Sequence, residues 1–267
     1  MLKDITLGQY MPGDTFVHRL DPRTKILLTT IYIAVIFLVS SPVWYVIPAI
    51  YVAMAAKMSG LSFGQLLKSV KPLRFLLILT FVLNVFFSGG TTVWVRWGVL
   101  TISQEGVLLA VHFSMRLVFL VVGTSVLTLT TSPVALSDGI EMLLKPLKAL
   151  HFPAHELAMM MTIALRFIPT LIEETDKIMK AQQARGADFE SGNLIARPKA
   201  MVPLLLPLFV SAFRRAGELA MAMEARCYHG GEGRTRLRIL RFTMEDVKAT
   251  LVSLLALGLV IAARMVA

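Results

Sequence analysis

The chain has 267 residues, of which 56% are hydrophobic and only 16% charged, with a mean hydropathy of +0.70. That is too apolar for a soluble domain of this length and places the protein in a bilayer, as an all-α integral membrane protein. The formal net charge of +10 does not indicate nucleic acid, because the basic residues stand between apolar runs, as in positive-inside loops, and are not interleaved with stacking aromatics.

Met1 to Asp21 is polar and turn-rich without a hydrophobic run, so no cleavable signal peptide is expected. In Leu20-Asp21-Pro22-Arg23-Thr24-Lys25, Asp21 is a good N-cap and Pro22 suits the first helical position, so a helix should start here. Ile26 to Val39 and Val43 to Ala56 are apolar and meet at the uncharged Ser40-Ser41-Pro42 turn, which reads as two membrane helices. Lys57, Lys68, Lys71 and Arg74 make the next connection basic and therefore cytoplasmic, with a short interfacial helix within Leu61 to Val70.

Leu73 to Phe87 is a third apolar span, and Thr91 to Ile102 is expected to form a small hairpin at the outer interface, anchored by Trp94 and Trp97. Gly106 to Leu129 is a fourth span, interrupted by His112 and Arg116; packing against another helix, or snorkelling, accounts for such an arginine. From Ser132-Pro133 to Asp246 charges recur every few residues and prolines punctuate the pattern, which reads as a cytoplasmic helical region lying along the membrane. Val247 to Val266 closes the chain as a fifth span. The expected organisation is thus 1–131 with four spans, 132–246 with long coupling helices, and 247–267 with the last span, the N-terminus inside.

Within the polar region two long helices are expected, Pro153 to Arg185, bent at Pro169, and about Arg197 to Tyr228, loosened by Pro203 and Pro207. Glu173 with Lys177, Asp176 with Lys180, and Arg214 with Glu218 have helical i to i+4 spacing. Each helix ends in the same short word, Ala184-Arg185-Gly186 and Ala225-Arg226-Cys227, followed by a Gly-containing break (Gly186 and Gly192; Gly230, Gly231 and Gly233). A guanidinium at an approachable helix end offers a rigid fork of donors to a groove of carboxylates and carbonyls. A cation at a helix C-terminus also serves the macrodipole and the orphan carbonyls, so a capping role stands beside the docking one. Met159-Met160-Met161, Met201, Met221 and Met223 give these helices an adaptable apolar surface suited either to core filling or to partners. The basic stretch Arg234 to Arg241 is expected at anionic headgroups.

Cys227 is the single cysteine, which excludes an intramolecular disulfide and a cysteine-based metal site; His151 and His155 flank Phe152-Pro153-Ala154 and His112 stands alone, so no metal or cofactor is expected. No phosphate-cradling Gly-rich loop is present, so ATP should not be bound by this chain. The spans hold no hydrolase constellation. A self-sufficient permease is the competing reading, but it would carry broken helices with polar groups at mid-membrane, and these spans are nearly featureless.

The Leu20-Asp21-Pro22-Arg23-Thr24-Lys25 entry, the Leu165-Arg166-Phe167-Ile168-Pro169 segment and the two Ala-Arg-X words resemble the transmembrane T component of energy-coupling factor (ECF) transporters, through essentially the whole chain. The resemblance implies a non-enzymatic scaffold in a prokaryotic cell membrane, in complex with two ABC-type ATPase subunits and a small membrane-embedded S component that captures a vitamin or metal ion. It implies that Arg185 and Arg226, with Ala184, Gly186, Ala225 and Cys227 around them, enter grooves on the ATPases, and that the helices transmit ATP-driven motion to the S component. That component is expected to meet Met160 and Met221. One departure is visible: Cys227 stands where the first motif has Gly186.

Overall fold

A computed structural model of the chain describes residues 10–97, 100–146, 152–187, 196–230 and 240–266. His151, Gly192, Gly231, Gly233 and residues 234–239 of the basic stretch lie outside the described residues.

The Asp-Pro pair starts the first long helix as expected. After one turn of helix, α1 (Phe16–Arg19), α2 (Pro22–Leu38) begins with Pro22 in its first turn and with the Asp21 carboxylate accepting the Arg23 backbone N–H at 2.9 Å. Ser40, Ser41 and a 3₁₀ turn (Pro42–Tyr45) lead into α3 (Val46–Ser59), which Gly60 closes in the left-handed conformation (φ +69°). The interfacial helix is α4 (Phe63–Val70), opened by a reciprocal capping box between Ser62 and Gln65. A single 3₁₀ turn (Lys71–Leu73) runs it into α5 (Arg74–Phe87). The hairpin is present as antiparallel β1 (Val93–Trp97) and β2 (Leu100–Ser103), and Glu105 ties it to the next helix through both hydroxyls of Thr91 and Thr92. Then follow α6 (Gln104–Thr130), α7 (Pro133–Leu144), α8 (Ala154–Ala184), α9 (Ala196–Ala225) and α10 (Met244–Val266).

Among the described residues, four stretches are long and apolar enough to cross a membrane: Phe63–Phe87, Gln104–Thr130, Ala154–Ala184 and Met244–Met265. The protein is an all-α integral membrane protein. The expectation of five spans differs in detail, since it includes α2 and α3, whose 17 and 14 residues fall short of that length, and leaves out α8. The physical reason is that α8 is two-natured: its first half is apolar, whereas Glu173, Glu174, Asp176, Lys177 and Lys180 crowd its second.

The chain folds into two compact units, Gly8–Met142 with Ile239–Ala267, and Met1–Leu7 with Leu143–Arg238. In the first unit α6 packs against α2, α3, α4 and α5, and α10 packs on α2 and α3. Lipid tails are as apolar as leucine, so helices in a bilayer are held by close packing and hydrogen bonds rather than by escape from water. Both devices are present. Gly123 lets α6 approach α2 so closely that a Cβ there would lie 2.0 Å from the Tyr32 ring. The Tyr32 hydroxyl donates to the Phe119 carbonyl at 2.9 Å, and the Tyr51 hydroxyl pairs with Ser253 Oγ at 2.8 Å, linking α3 to α10. Around them Val35, Ile36, Tyr45, Val52 and Val260 form the buried centre, and Tyr45 stacks on Phe119.

The second unit is built on the α8–α9 pair. Glu174 of α8 and Arg215 of α9 form an ion pair, and Arg215 Nε also donates to Ser211 Oγ at 3.4 Å. Near the other end Tyr228, just past α9, meets His155 at the start of α8. Early residues of one helix thus meet late residues of the other, so the pair is antiparallel. The exposed i to i+4 pairs do not form: none of Glu173–Lys177, Asp176–Lys180 or Arg214–Glu218 closes to an ion pair, as befits exposed pairs worth about 0.3–0.5 kcal/mol each. The partner that α8 takes is across the interface, where both side chains are half-buried.

Candidate functional site

The two Ala-Arg-X words have one and the same backbone geometry. At the end of α8, the Gly186 N–H reaches the Gln183 carbonyl (2.9 Å) and the Ala187 N–H reaches back to Gln182 (3.0 Å). At the end of α9, the Cys227 N–H reaches Glu224 (2.8 Å) and the Tyr228 N–H reaches Met223 (3.1 Å). These are the two bonds of a Schellman motif, in which the alanine is the last helical residue, the arginine is the C-cap and the third residue turns left-handed. Gly186 has φ +88° and Cys227 has φ +55°. What the third position requires is therefore a left-handed backbone, and smallness is only part of it. Glycine adopts this backbone freely, and cysteine does so against a steric penalty of about 1–2 kcal/mol.

The Schellman bonds satisfy the Gln182, Gln183, Met223 and Glu224 carbonyls without either guanidinium group. Ala184, Arg185, Gly186, Ala225, Arg226 and Cys227 are all exposed, and among the described residues neither arginine makes an ion pair. The antiparallel pairing puts the two at opposite ends of the α8–α9 pair. Each lies eleven positions beyond the Glu174–Arg215 ion pair, Arg185 along α8 and Arg226 along α9. At 1.5 Å per helical residue each arm is about 16 Å long, so the arginines can stand roughly 30 Å apart. Met160 and Met221 are also exposed on these helices, and Arg166, in the Leu165-to-Pro169 segment, is exposed on α8.

The Leu20-to-Lys25 entry lies in the other unit and serves a different purpose. Asp21 binds the Arg23 guanidinium through both carboxylate oxygens (3.0 and 2.8 Å), and the Arg23 group lies 4.1 Å over the Phe242 ring. The Asp21 backbone N–H donates to Asp246 (2.9 Å), whose other oxygen accepts from the Thr243 N–H (2.8 Å) and hydroxyl (2.9 Å). Buried Asp246 thus caps α10 and holds the start of α2 at once, clasping the first and last long helices of the unit. Sequence reasoning did not find this clasp or the Glu174–Arg215 pair. Thr243-x-x-Asp246 is a readable cap, but its bond to a residue 225 positions away is not.

Arg116 and His112 of α6 meet at 2.8 Å, with Arg116 also 3.4 Å from the Val39 carbonyl and between the Phe37 and Phe113 rings. This is helix packing around an intramembrane cation. Among the described residues no three His, Cys, Asp or Glu side chains gather as a metal-binding group.

A family model described as a cobalt transport protein (CbiQ) matches residues 13–237. An energy-coupling factor transporter transmembrane protein from Clostridium kluyveri is 54% identical over 265 residues, covering 99% of this chain and 98% of that protein. Proteins of the same name from Acidaminococcus fermentans and Bacillus subtilis are 55% and 46% identical, over 95% and 97% of this chain and 94% and 97% of their own lengths. With such identity running from end to end, and with the entry motif, the two arginine words and the apolar helices all in place, the chain belongs to the family of energy-coupling factor transporter transmembrane proteins.

Proposed function

We propose that this chain is the coupling scaffold of its transporter: that two ABC-type ATPase subunits dock on Arg185 and Arg226, one on each, and that α8 and α9 pass their motion to a membrane-embedded S component carrying a vitamin or other micronutrient. The observation that carries the proposal is the matched pair of exposed, unpaired C-cap arginines, set at equal distances from the Glu174–Arg215 pair and facing away along opposite arms. Two equal sites far apart suit two copies of one kind of partner. The capping alternative is weakened because both Schellman motifs form from backbone bonds alone, without the guanidinium groups. Both arms would lie on the cytoplasmic side, where the ATP is, with the N-terminus; the excess of Lys and Arg from Pro133 to Asp246 supports that orientation. The S component would meet the exposed apolar faces that include Met160 and Met221.

The test is an Arg185→Glu, Arg226→Glu double variant, measured for retention of the ATPases in a pull-down and for ATP-dependent uptake. Loss of a desolvated arginine is worth about 2–4 kcal/mol per site, so each single variant should weaken coupling and the double should release the ATPases. Lysine should not fully rescue either site, since a point charge does not reproduce a planar fork. Full retention and normal uptake in the double variant would reduce these arginines to helix caps. Uptake by the chain without any ATPase would favour a self-sufficient permease.

A further inference from the structure

A cavity of about 240 Å³ lies inside the first unit, among α1, α2, α3, α6 and α10. It is larger than the ~150 Å³ engineered apolar cavity that binds benzene, and it is lined almost entirely by hydrocarbon. Water gains little in such a space, because it needs several polar partners that hydrocarbon does not supply. The lining hydroxyls of Thr29, Tyr32, Tyr51 and Thr130 are engaged within the protein, and the charged residues of the lining are Lys25, which is buried, and Lys248, which is exposed, each within a turn of the Asp21–Asp246 bond. The Lys25 ammonium donates to the carbonyls of His18 (3.2 Å) and Thr130 (3.0 Å). An ammonium carries three donors, so one remains for whatever enters the cavity that Lys25 lines. The acids near Lys25 are already engaged, Asp21 by Arg23 and Asp246 by the Thr243 and Asp21 backbone, while Glu245, three residues before Lys248 on α10, makes no ion pair among the described residues. On the exposed side Met54 and Met58 of α3 and Val252 of α10 reach the surface, so the cavity opens between these two helices toward the bilayer.

We propose that this cavity is a binding site for one anionic phospholipid, with an acyl chain inserted among the apolar side chains and the phosphate held by Lys25 and Lys248. The occupant follows from charge complementarity. An apolar slot lined by two lysines, with both acids near the buried Lys25 engaged elsewhere, matches an amphiphile with a negative head, and a zwitterionic lipid would bring an extra cation to the lysines. The site is distinct from the arginine words and does not depend on their role.

Full-length protein would be reconstituted in nanodiscs of phosphatidylcholine with one-fifth or so phosphatidylglycerol, extracted gently, and weighed by native mass spectrometry. The expected result is one retained phosphatidylglycerol per chain, enriched over its share of the bilayer. Lys248→Gln, on the exposed rim, should lower that enrichment about fivefold, the worth of roughly one basic residue at an anionic lipid. Ala55→Phe, which fills the cavity without touching a charge, should abolish retention while the unfolding temperature stays the same or rises. The proposal is overturned if the wild type retains no lipid, if it retains phosphatidylcholine or a free fatty acid as readily as phosphatidylglycerol, or if both variants retain phosphatidylglycerol like the wild type.

Discussion

α2 of the first unit and the α8–α9 pair of the second differ in how far they are enclosed. α2 buries seven of its 17 residues, among them Lys25, Tyr32 and Ile36. α8, with 31 residues, buries only Ala154 and Ala158. On α9 the side chains of Leu206 and Phe213 remain 71% and 75% exposed. The first set of helices is held by its own neighbours, through the Gly123–Tyr32 crossing, the tyrosine hydroxyl bonds and the Asp21–Asp246 clasp. Among the described residues the α8–α9 pair carries one ion pair, and it offers long apolar faces and two arginines without ion pairs. Helices that bury so few side chains have a conformation that binding can bias, as the proposed coupling role requires.

The contrast can be broken most forcefully at the clasp. Asp246→Ala would strand the buried Asp21 N–H and uncap the exposed Thr243 N–H, for a loss of about 2–3 kcal/mol. In a membrane bundle of this size that should lower the unfolding temperature in detergent by about 5–10 °C. An unchanged temperature would mean that the clasp does not hold the first unit together.

The same measurement should respond much less in the second unit. Glu174→Gln or Arg215→Gln removes a half-exposed pair worth about 1 kcal/mol or less. Uptake by the assembled transporter should nevertheless fall, because the two arms lose their shared reference point, and exchange of the two charges (Glu174→Arg with Arg215→Glu) should recover part of it. Normal uptake in both single variants would show that the pair has no part in coupling.

The smallest effect sharpens the comparison within the second unit itself. Cys227→Gly should relieve the left-handed strain of the second motif and stabilise the α9 end by about 1 kcal/mol, whereas Gly186→Ala should weaken the α8 end by a similar amount. Hydrogen exchange at the Tyr228 and Ala187 amides, the closing bonds of the two caps, would report both changes. Equal exchange in variants and wild type would show that the left-handed residue does not limit either cap.

Much of this protein could be read from local signals. The Asp21-Pro22 start of α2, the Ser40-Ser41-Pro42 break, the hairpin before α6 and the two long helices each rest on propensities that act within a few residues, and each is where the residues put it. The two arginine words were visible for the same reason, as repeated letters beside helix-breaking glycines. Other features depended on residues far apart in the chain. That Glu174 chooses Arg215 over the lysines on its own helix, and that Asp246 reaches Asp21, are outcomes of packing. The sequence alone determined the class of the protein, the helix starts and the candidate arginines, since these are local properties of the chain. Only the tertiary structure decided that the arginines stand at opposite ends of an antiparallel pair and that an apolar cavity with a lysine end lies inside the other unit, because both are relations between surfaces that the chain brings together only by folding.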